Sequence, residues 1–334
     1  MNSTAGEQWE FDGISNDGTR VFVFGFYRDP NYSFFGTGNL RLYAEFASSN
    51  GSRYAVVEYA EESTVEWCPD RGTRGVWRGP NWVYTFETNT DMSLTTITMD
   101  DPEAKATITM QSIALVQYAD NRAWPDEQGN PLTVPHFYWI EPVPVADLTL
   151  EAVIMGEAMT WEGMGGPERL WGAFNWFTCL KSMMAIRLHV GPFALSLVEF
   201  GSHRQRGLTV PSVLLVLEGQ KMFESRSTEL SLVDDFFQVR KIYNGPGATT
   251  QTLEDKVTGI ELILTSPSRK QSCRFVVTHK IFAFEYVLGE GRGGTAYAGT
   301  AEGGLLGSML WGGPAFTEVL KFPKFSMLLR DNYA

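Results

Sequence analysis

Cysteine, histidine and helical periodicity are all scarce in this 334-residue chain, and each shortage removes a class of chemistry. The three cysteines, Cys68, Cys179 and Cys273, are far apart and odd in number, so they form neither a disulfide framework nor a zinc spacing. His136, His189, His203 and His279 include no pair at the close spacing of a metal motif, and a metal cofactor is not expected. No run of Lys or Arg relieves the formal charge of −12, so nucleic acid and anionic membrane surfaces are not expected partners. No stretch approaches the roughly 18 consecutive apolar residues of a membrane span. Met1 to Glu7 carries neither the charged flank nor the apolar core of a signal peptide. The expected location is cytoplasmic or, behind a trimmed leader, secretory, with the sequons at Asn2, Asn31 and Asn50 open to glycosylation.

Nucleophile motifs are missing too. There is no Gly-x-Ser-x-Gly, and Cys179, between Thr178 and Leu180, reads as a buried structural thiol. The acidic pairs Glu61-Glu62, Asp100-Asp101 and Asp234-Asp235 fall at strand edges or turns and read as solvated surface. Gly289 to Gly313 is glycine-rich but lacks the strand and the Gly-Lys-Ser/Thr helix of a phosphate loop, so it reads as loops and a glycine-softened strand.

What the chain has is alternation with period two. Arg20 to Tyr27, Asn39 to Phe46 and Arg53 to Tyr59 read as consecutive strands, with a hairpin at Asn50-Gly51. The pattern continues through Trp82 to Glu87, Leu94 to Met99 and Ala106 to Leu115, a β-meander. It resumes at Ser182 to Val190, Phe193 to Phe200, Val213 to Glu218, Phe236 to Tyr243, Gly259 to Thr265, Arg274 to Val287 and Thr317 to Phe322. Short antiparallel strands at even spacing imply an all-β chain of sandwiches or barrels. The length favours two domains at roughly 100 to 200 residues each. The glycine-rich stretch Gly163 to Gly172 is the natural connector, and Pro167 to Leu180 reads as a loop or a short helix in preference to a strand. The domains are therefore drawn as 1–177 and 178–334.

Aromatic residues, 13% of the chain, are concentrated. Trp161, Trp171 and Trp176 crowd the connector with Phe174 and Phe177, Phe137-Tyr138-Trp139 forms a second group, and Phe282, Phe284 and Tyr286 share a strand face. Core packing accounts for many of these, but tryptophans within a glycine-rich connector, with Arg169 and Asn175 among them, have the composition of an apolar pocket at a domain junction. On the strand Ser182 to Val190, Ile186, Leu188 and Val190 share one face and Arg187 and His189 the other. Arg187 then reads either as a ligand contact or as an interface ion-pair residue.

Trp9-Glu-Phe-Asp-Gly-Ile-Ser15, Gly166-Pro-Glu-Arg-Leu-Trp171 and Arg187-Leu-His-Val-Gly-Pro-Phe-Ala-Leu195 resemble, in order and spacing, the fungal lipocalin-like Diels-Alderases and hetero-Diels-Alderases. These belong to a wider two-domain β group that includes carotenoid 1,2-hydratase. The resemblance implies an N-terminal β-sandwich or opened barrel, a C-terminal lipocalin-like barrel, and an apolar small molecule held between them. It also implies a cofactor-independent [4+2] cycloaddition in secondary-metabolite biosynthesis. Two branches fit: decalin closure in a polyene polyketide, and hetero-Diels-Alder coupling of a quinone methide with a terpene olefin. The compact chain, the lack of the longer leader of the decalin branch and the aromatic surplus tilt the reading to the hetero branch. Hydratases of the wider group carry a histidine where this chain has Gly165 to Gly172, which has none, so hydration is in doubt.

A pericyclic reaction needs no nucleophile, metal or proton shuttle, which agrees with the shortages above. It needs a shaped cavity and a hydrogen-bond donor aimed at a carbonyl. The candidate donors are Arg169, Asn175, Tyr138 and Arg187; the candidate walls are Trp67, Trp161, Trp171, Trp176, Phe282 and Phe284. Arg169 and Trp171 match the family motif best. A non-catalytic carrier of an apolar ligand would have nearly the same sequence requirements.

Overall fold

The computed structural model describes residues 5–29, 39–123, 126–172 and 179–323. Its strands are β1 (Gly6–Ser15), β2 (Arg20–Arg28), β3 (Arg41–Ser48), β4 (Arg53–Tyr59), β5 (Glu62–Cys68), β6 (Gly72–Arg78), β7 (Val83–Thr88), β8 (Leu94–Asp100), β9 (Ala104–Ser112), β10 (Gln117–Tyr118), β11 (Phe137–Glu141), β12 (Ala146–Ile154) and β13 (Glu157–Gly172). After these come β14 (Leu180–Val190), β15 (Phe193–Ser202), β16 (Thr209–Leu217), β17 (Gln220–Ser225), β18 (Phe236–Tyr243), β19 (Val257–Ser266), β20 (Gln271–Gly289), β21 (Arg292–Leu305) and β22 (Trp311–Lys321). They form two curled antiparallel sheets, each a half-barrel. The first runs β4-β3-β2-β1-β13-β12-β9-β8-β7-β6-β5, with β11 also pairing β13; the second runs β17-β16-β15-β14-β22-β21-β20-β19-β18.

Alternation explains both interiors. In β2, Phe22, Phe24 and Phe26 point into the first half-barrel, where they meet Trp9, Phe11, Trp77, Tyr84 and Phe86. Ile186, Leu188 and Val190 of β14 fill the second with Leu195, Leu215 and Phe275. The Asn50-Gly51 hairpin forms as expected, with Gly51 at φ 89° and the Asn50 side chain accepting the Ser52 amide hydrogen at 2.9 Å.

Most strands bury one face, as β12 does with its strict buried/exposed alternation. Strand β1 buries both faces along nearly its whole length. It lies where the backs of the two half-barrels meet. At one end of this seam Ile14, Val21, Val23 and Met164 pack on Ala194, Leu214, Ala298 and Phe316. At the other, Val134, Phe137, Trp139 and Leu170 pack on Met183, Val198, Phe200 and Leu320.

The connector expectation is overturned. Residues 163–172 are neither loop nor short helix but the second half of β13, a central strand paired with β1, β11 and β12; residues 173–178 lie outside the described residues. The glycines that suggested a loop are there because backbones press together. A Cβ on Gly163 would sit on the Ile14 carbonyl oxygen, and one on Gly165 on that of Asp12. The first sheet's last strand ends at Gly172 and the second sheet's first begins at Leu180; the expected 177/178 boundary itself lies outside the described residues. Gly289 to Gly313 is mostly strand β21 with the start of β22, joined by a hairpin over 306–310. Asp101, expected at the surface, is buried in the turn before β9, where its side chain accepts the Glu103 amide hydrogen at 2.9 Å.

Candidate functional site

Between its two apolar ends the seam is polar. Because Trp9 and Phe11 face the first interior, Gln8, Glu10 and Asp12 must face the second half-barrel, and β13 adds Glu168 from the same side. Opposite them β14 presents Arg187, β15 Ser196 and β22 Glu318, all buried. Asp12, Glu141, Glu168, Arg187, Ser196 and Glu318 line a small cavity there.

Arg187 is a three-way tie between the halves. Its guanidinium donates to the Pro144 carbonyl at 2.6 Å, to Glu141 at 2.9 Å and to the Asp12 carboxylate. Glu141 also accepts from the Ser196 hydroxyl. Gly166 makes room for the tie, since a Cβ there would come within 3.0 Å of the Arg187 guanidinium carbon. Burial lowers the Arg187 pKa to about 9, and the carboxylates Glu10 and Glu318 oppose that shift.

Beside this tie one carboxyl oxygen each from Glu10, Glu168 and Glu318 lie within 4.8 Å of one another. Burial, reinforced by the Glu168 charge, raises Glu10 to about 8. Burial raises Glu168 to about 7, against a 3.1 Å hydrogen bond donated by the Trp139 indole. Burial and then the charges of Glu10 and Glu168 hold Glu318 well above the usual carboxylate range. These acids therefore retain protons near neutrality. Those protons, and the Arg187 charge beside them, oppose a metal ion at this one convergence of three such ligands among the described residues.

From the acids an aromatic wall leads outward. The Tyr43 ring meets Phe284 edge-on at 6.5 Å and 87°, and Phe284 stacks on Tyr286 at 6.0 Å and 12°. Tyr27 lies under the Arg41 guanidinium at 3.8 Å, and Arg41 is fixed to Asp29 at 2.8 Å. Tyr286 feels the charges of Glu318, Glu10 and Arg41, and 41% of its surface is open. Burial raises the phenol pKa of Tyr27 far above its ordinary value, and a phenol at its ordinary value of about 10 is already neutral near pH 7, so the Tyr27 and Tyr286 hydroxyls are both neutral donors. Arg53 closes this side by donating to the Phe282 and Ala283 carbonyls across the interface while paired with Glu45.

The residues named from sequence are divided between two faces of the β1–β13 sheet. Arg169, Trp171 and Tyr138 occupy the inner face at one end of the first half-barrel. Arg169 lies between the rings of Trp9 (4.9 Å) and Trp171 (4.7 Å) and is paired with Glu7 at 2.6 Å, and Tyr138 stacks on Trp171 at 5.5 Å. Trp161 is a core residue against Phe22 at 5.9 Å. Trp67 is 67% exposed on edge strand β5, and among the described residues no ring contact joins it to the others. Arg187 and Phe284 are on the seam face; Phe282 is separated from Phe284 by a register shift in β20 and turns its ring to Tyr297 at 5.9 Å. Asn175 and Trp176 lie outside the described residues.

Sequence reasoning missed Glu10, Glu168, Glu318, Tyr27, Tyr43 and Arg41. The only available signal was the Gln8-Glu10-Asp12 alternation opposite Trp9 and Phe11, which looks the same whether the polar face meets water or a second sheet.

Comparison with known proteins completes the description. A family model described as Diels-Alderase-like matches residues 1–323. The chain is 46% identical over 334 residues to Diels-Alderase phmD of Phaeosphaeria nodorum, covering all of this chain and 92% of that one. It is 45% identical over 333 residues to Diels-Alderase cheD of Chaetomium globosum, covering 100% and 78%. The crystal structure of CghA with Sch210972 superposes with a TM-score of 0.82 at 22% identity, over 96% of this chain and 89% of that one, which bears out the all-β, lipocalin-like fold.

Proposed function

The chain belongs to the Diels-Alderase-like family, and from that premise we propose that it closes a ring within a single polyene polyketide chain by an intramolecular [4+2] cycloaddition, in the cleft between the two half-barrels. The family makes it a Diels-Alderase-type enzyme, a pericyclase of secondary-metabolite biosynthesis acting on a small molecule. The finer choice of branch is our reading. Relatives at 43–46% identity carry the name Diels-Alderase without the hetero prefix, which favours carbon–carbon closure over the quinone methide coupling to which composition tilted.

The observation that carries the choice of site is the wall Tyr43–Phe284–Tyr286, built from both half-barrels and open at Tyr286. A cycloaddition exchanges three π bonds for two σ bonds and one π bond, and no proton, electron or leaving group departs. Catalysis then consists of holding a folded near-attack conformer and polarising a carbonyl on the dienophile. The wall restricts the chain's folding, and the neutral hydroxyls of Tyr27 and Tyr286 with the Arg41 guanidinium supply donors. Arg169, Trp171 and Tyr138 remain candidates for a second contact region at the end of the first half-barrel.

Incubation with a linear polyene bearing an activated carbonyl dienophile tests the reading. We expect one ring isomer to be enriched over the uncatalysed mixture, and Tyr286→Ala, at an exposed position, to stay folded while turnover falls about tenfold and the isomer ratio drifts back. Unchanged isomer ratios with the wild-type protein would leave only the carrier reading. Turnover confined to a quinone methide paired with a terpene olefin would move the chain to the hetero branch.

A further inference from the structure

The seam holds more acid than its one buried guanidinium can balance. Arg187 is engaged by Asp12 and Glu141, which leaves Glu10, Glu168 and Glu318 converging on one another. Glu10 and Glu168 belong to the first half-barrel and Glu318 to the second, so whatever charge this group carries acts directly on the separation of the halves. A second observation points the same way. Asp12, which lines the same cavity and is only 5% exposed, holds Oδ1 with no hydrogen-bond partner among the described residues, so the uncompensated acid of the seam extends beyond these three groups.

We propose that Glu318 and Glu10 are positioning residues joined across the seam by a shared proton, and that losing this proton parts the half-barrels and disassembles the cleft between them. The functional half of this statement rests on the cleft reading above. Two carboxyls in contact away from water cannot both be ionised, whereas a protonated one donates its O–H to the other.

The groups facing Glu318 come from every neighbouring strand. Glu10 and Asp12 stand on β1, Glu141 on β11, Glu168 on β13 and Arg187 on β14. Toward the cleft lie Tyr27 of β2, Arg41 of β3 and Tyr286 of β20. The two cations are already committed, Arg41 to Asp29 and Arg187 to Asp12 and Glu141. Neutralisation of the trio is left to protons. With Glu168 raised to about 7 and Glu10 to about 8 from 4.5, the folded chain keeps protons that the unfolded chain releases. Stability is therefore full below the unfolded value and drains away as pH rises through the folded ones, the reverse of a salt-bridged carboxylate.

The double change Glu10→Gln with Glu318→Gln keeps both volumes and supplies hydrogen-bond donors, but neither position can ionise. Melting temperature and polyene turnover are to be followed for both proteins from about pH 6 to about pH 9. We expect the wild-type melting temperature to fall over this range with an about tenfold loss of turnover, and the variant's profiles to be markedly flatter. Parallel profiles in the two proteins would overturn the proposal, as would a wild-type decline that millimolar Ca²⁺ or Mg²⁺ abolishes, since the group would then hold a cation. If the variant does not fold, calorimetric unfolding of the wild type near neutrality in buffers of different ionisation enthalpy decides: proton release on unfolding supports the shared proton, and none refutes it. A flattened melting profile with no turnover at any pH supports the proton and refutes the cleft reading.

Discussion

Arg187 shows how one side chain carries both sheets. Its partners Asp12 and Glu141 come from the first half-barrel, and removing the cation leaves two buried carboxylates uncompensated. We expect Arg187→Met to cost about 3–5 kcal/mol in urea denaturation, and the triple change Arg187→Met with Asp12→Asn and Glu141→Gln to recover much of it. The position was half legible: alternation in Ser182 to Val190 put Arg187 on the face opposite Ile186, Leu188 and Val190, with the choice of interior face left open, and an ion pair was among its two readings. Its partners were not, because nothing in Gln8-Glu10-Asp12 marks the arrival of a second sheet 175 residues later in the chain.

Strand β13 shows where local chemistry misleads. Gly163-Met-Gly-Gly-Pro167 has the composition of a loop, yet it is strand paired with β1 and β12, and its glycines sit where β1, Leu148 of β12, the Val143 carbonyl and Arg187 approach too closely for side chains. Glycine serves there as an absence of volume, and only tertiary contacts distinguish that use from a turn. Gly166→Ala should displace the Arg187 guanidinium and the Val143 carbonyl, and we expect a loss of about 1–3 kcal/mol by denaturant titration. The glycine of the Asn50 hairpin was legible because its requirement, a positive φ, is local. The aromatic surplus was likewise visible but its sidedness was not: Trp171 and Phe284 were placed on one wall, and the β1–β13 sheet stands between their faces.

For the molecule as a whole, the all-β class could be read from period two, since alternation reports which residues share a face. How two half-barrels dock cannot, because docking depends on residues that look solvated in each half alone. The apolar ends of the seam make the halves mutually dependent. Residues 179–334 produced alone would expose Ala194, Leu214, Val198, Phe200 and Phe316, and we expect aggregation by size-exclusion chromatography, relieved by co-expression with residues 1–178.

The lone guanidinium among five acids also bears on how such proteins can be inherited and recombined. A crossover between two relatives at the link separating the half-barrels looks clean along the chain, but it would pair one parent's Asp12, Glu141 and Glu168 with the other's Arg187 and Glu318. The exchangeable unit is the set of seam strands from both sides. Lineages should therefore change these charges together or not at all, while the solvent-facing alternate residues of β12 drift one at a time.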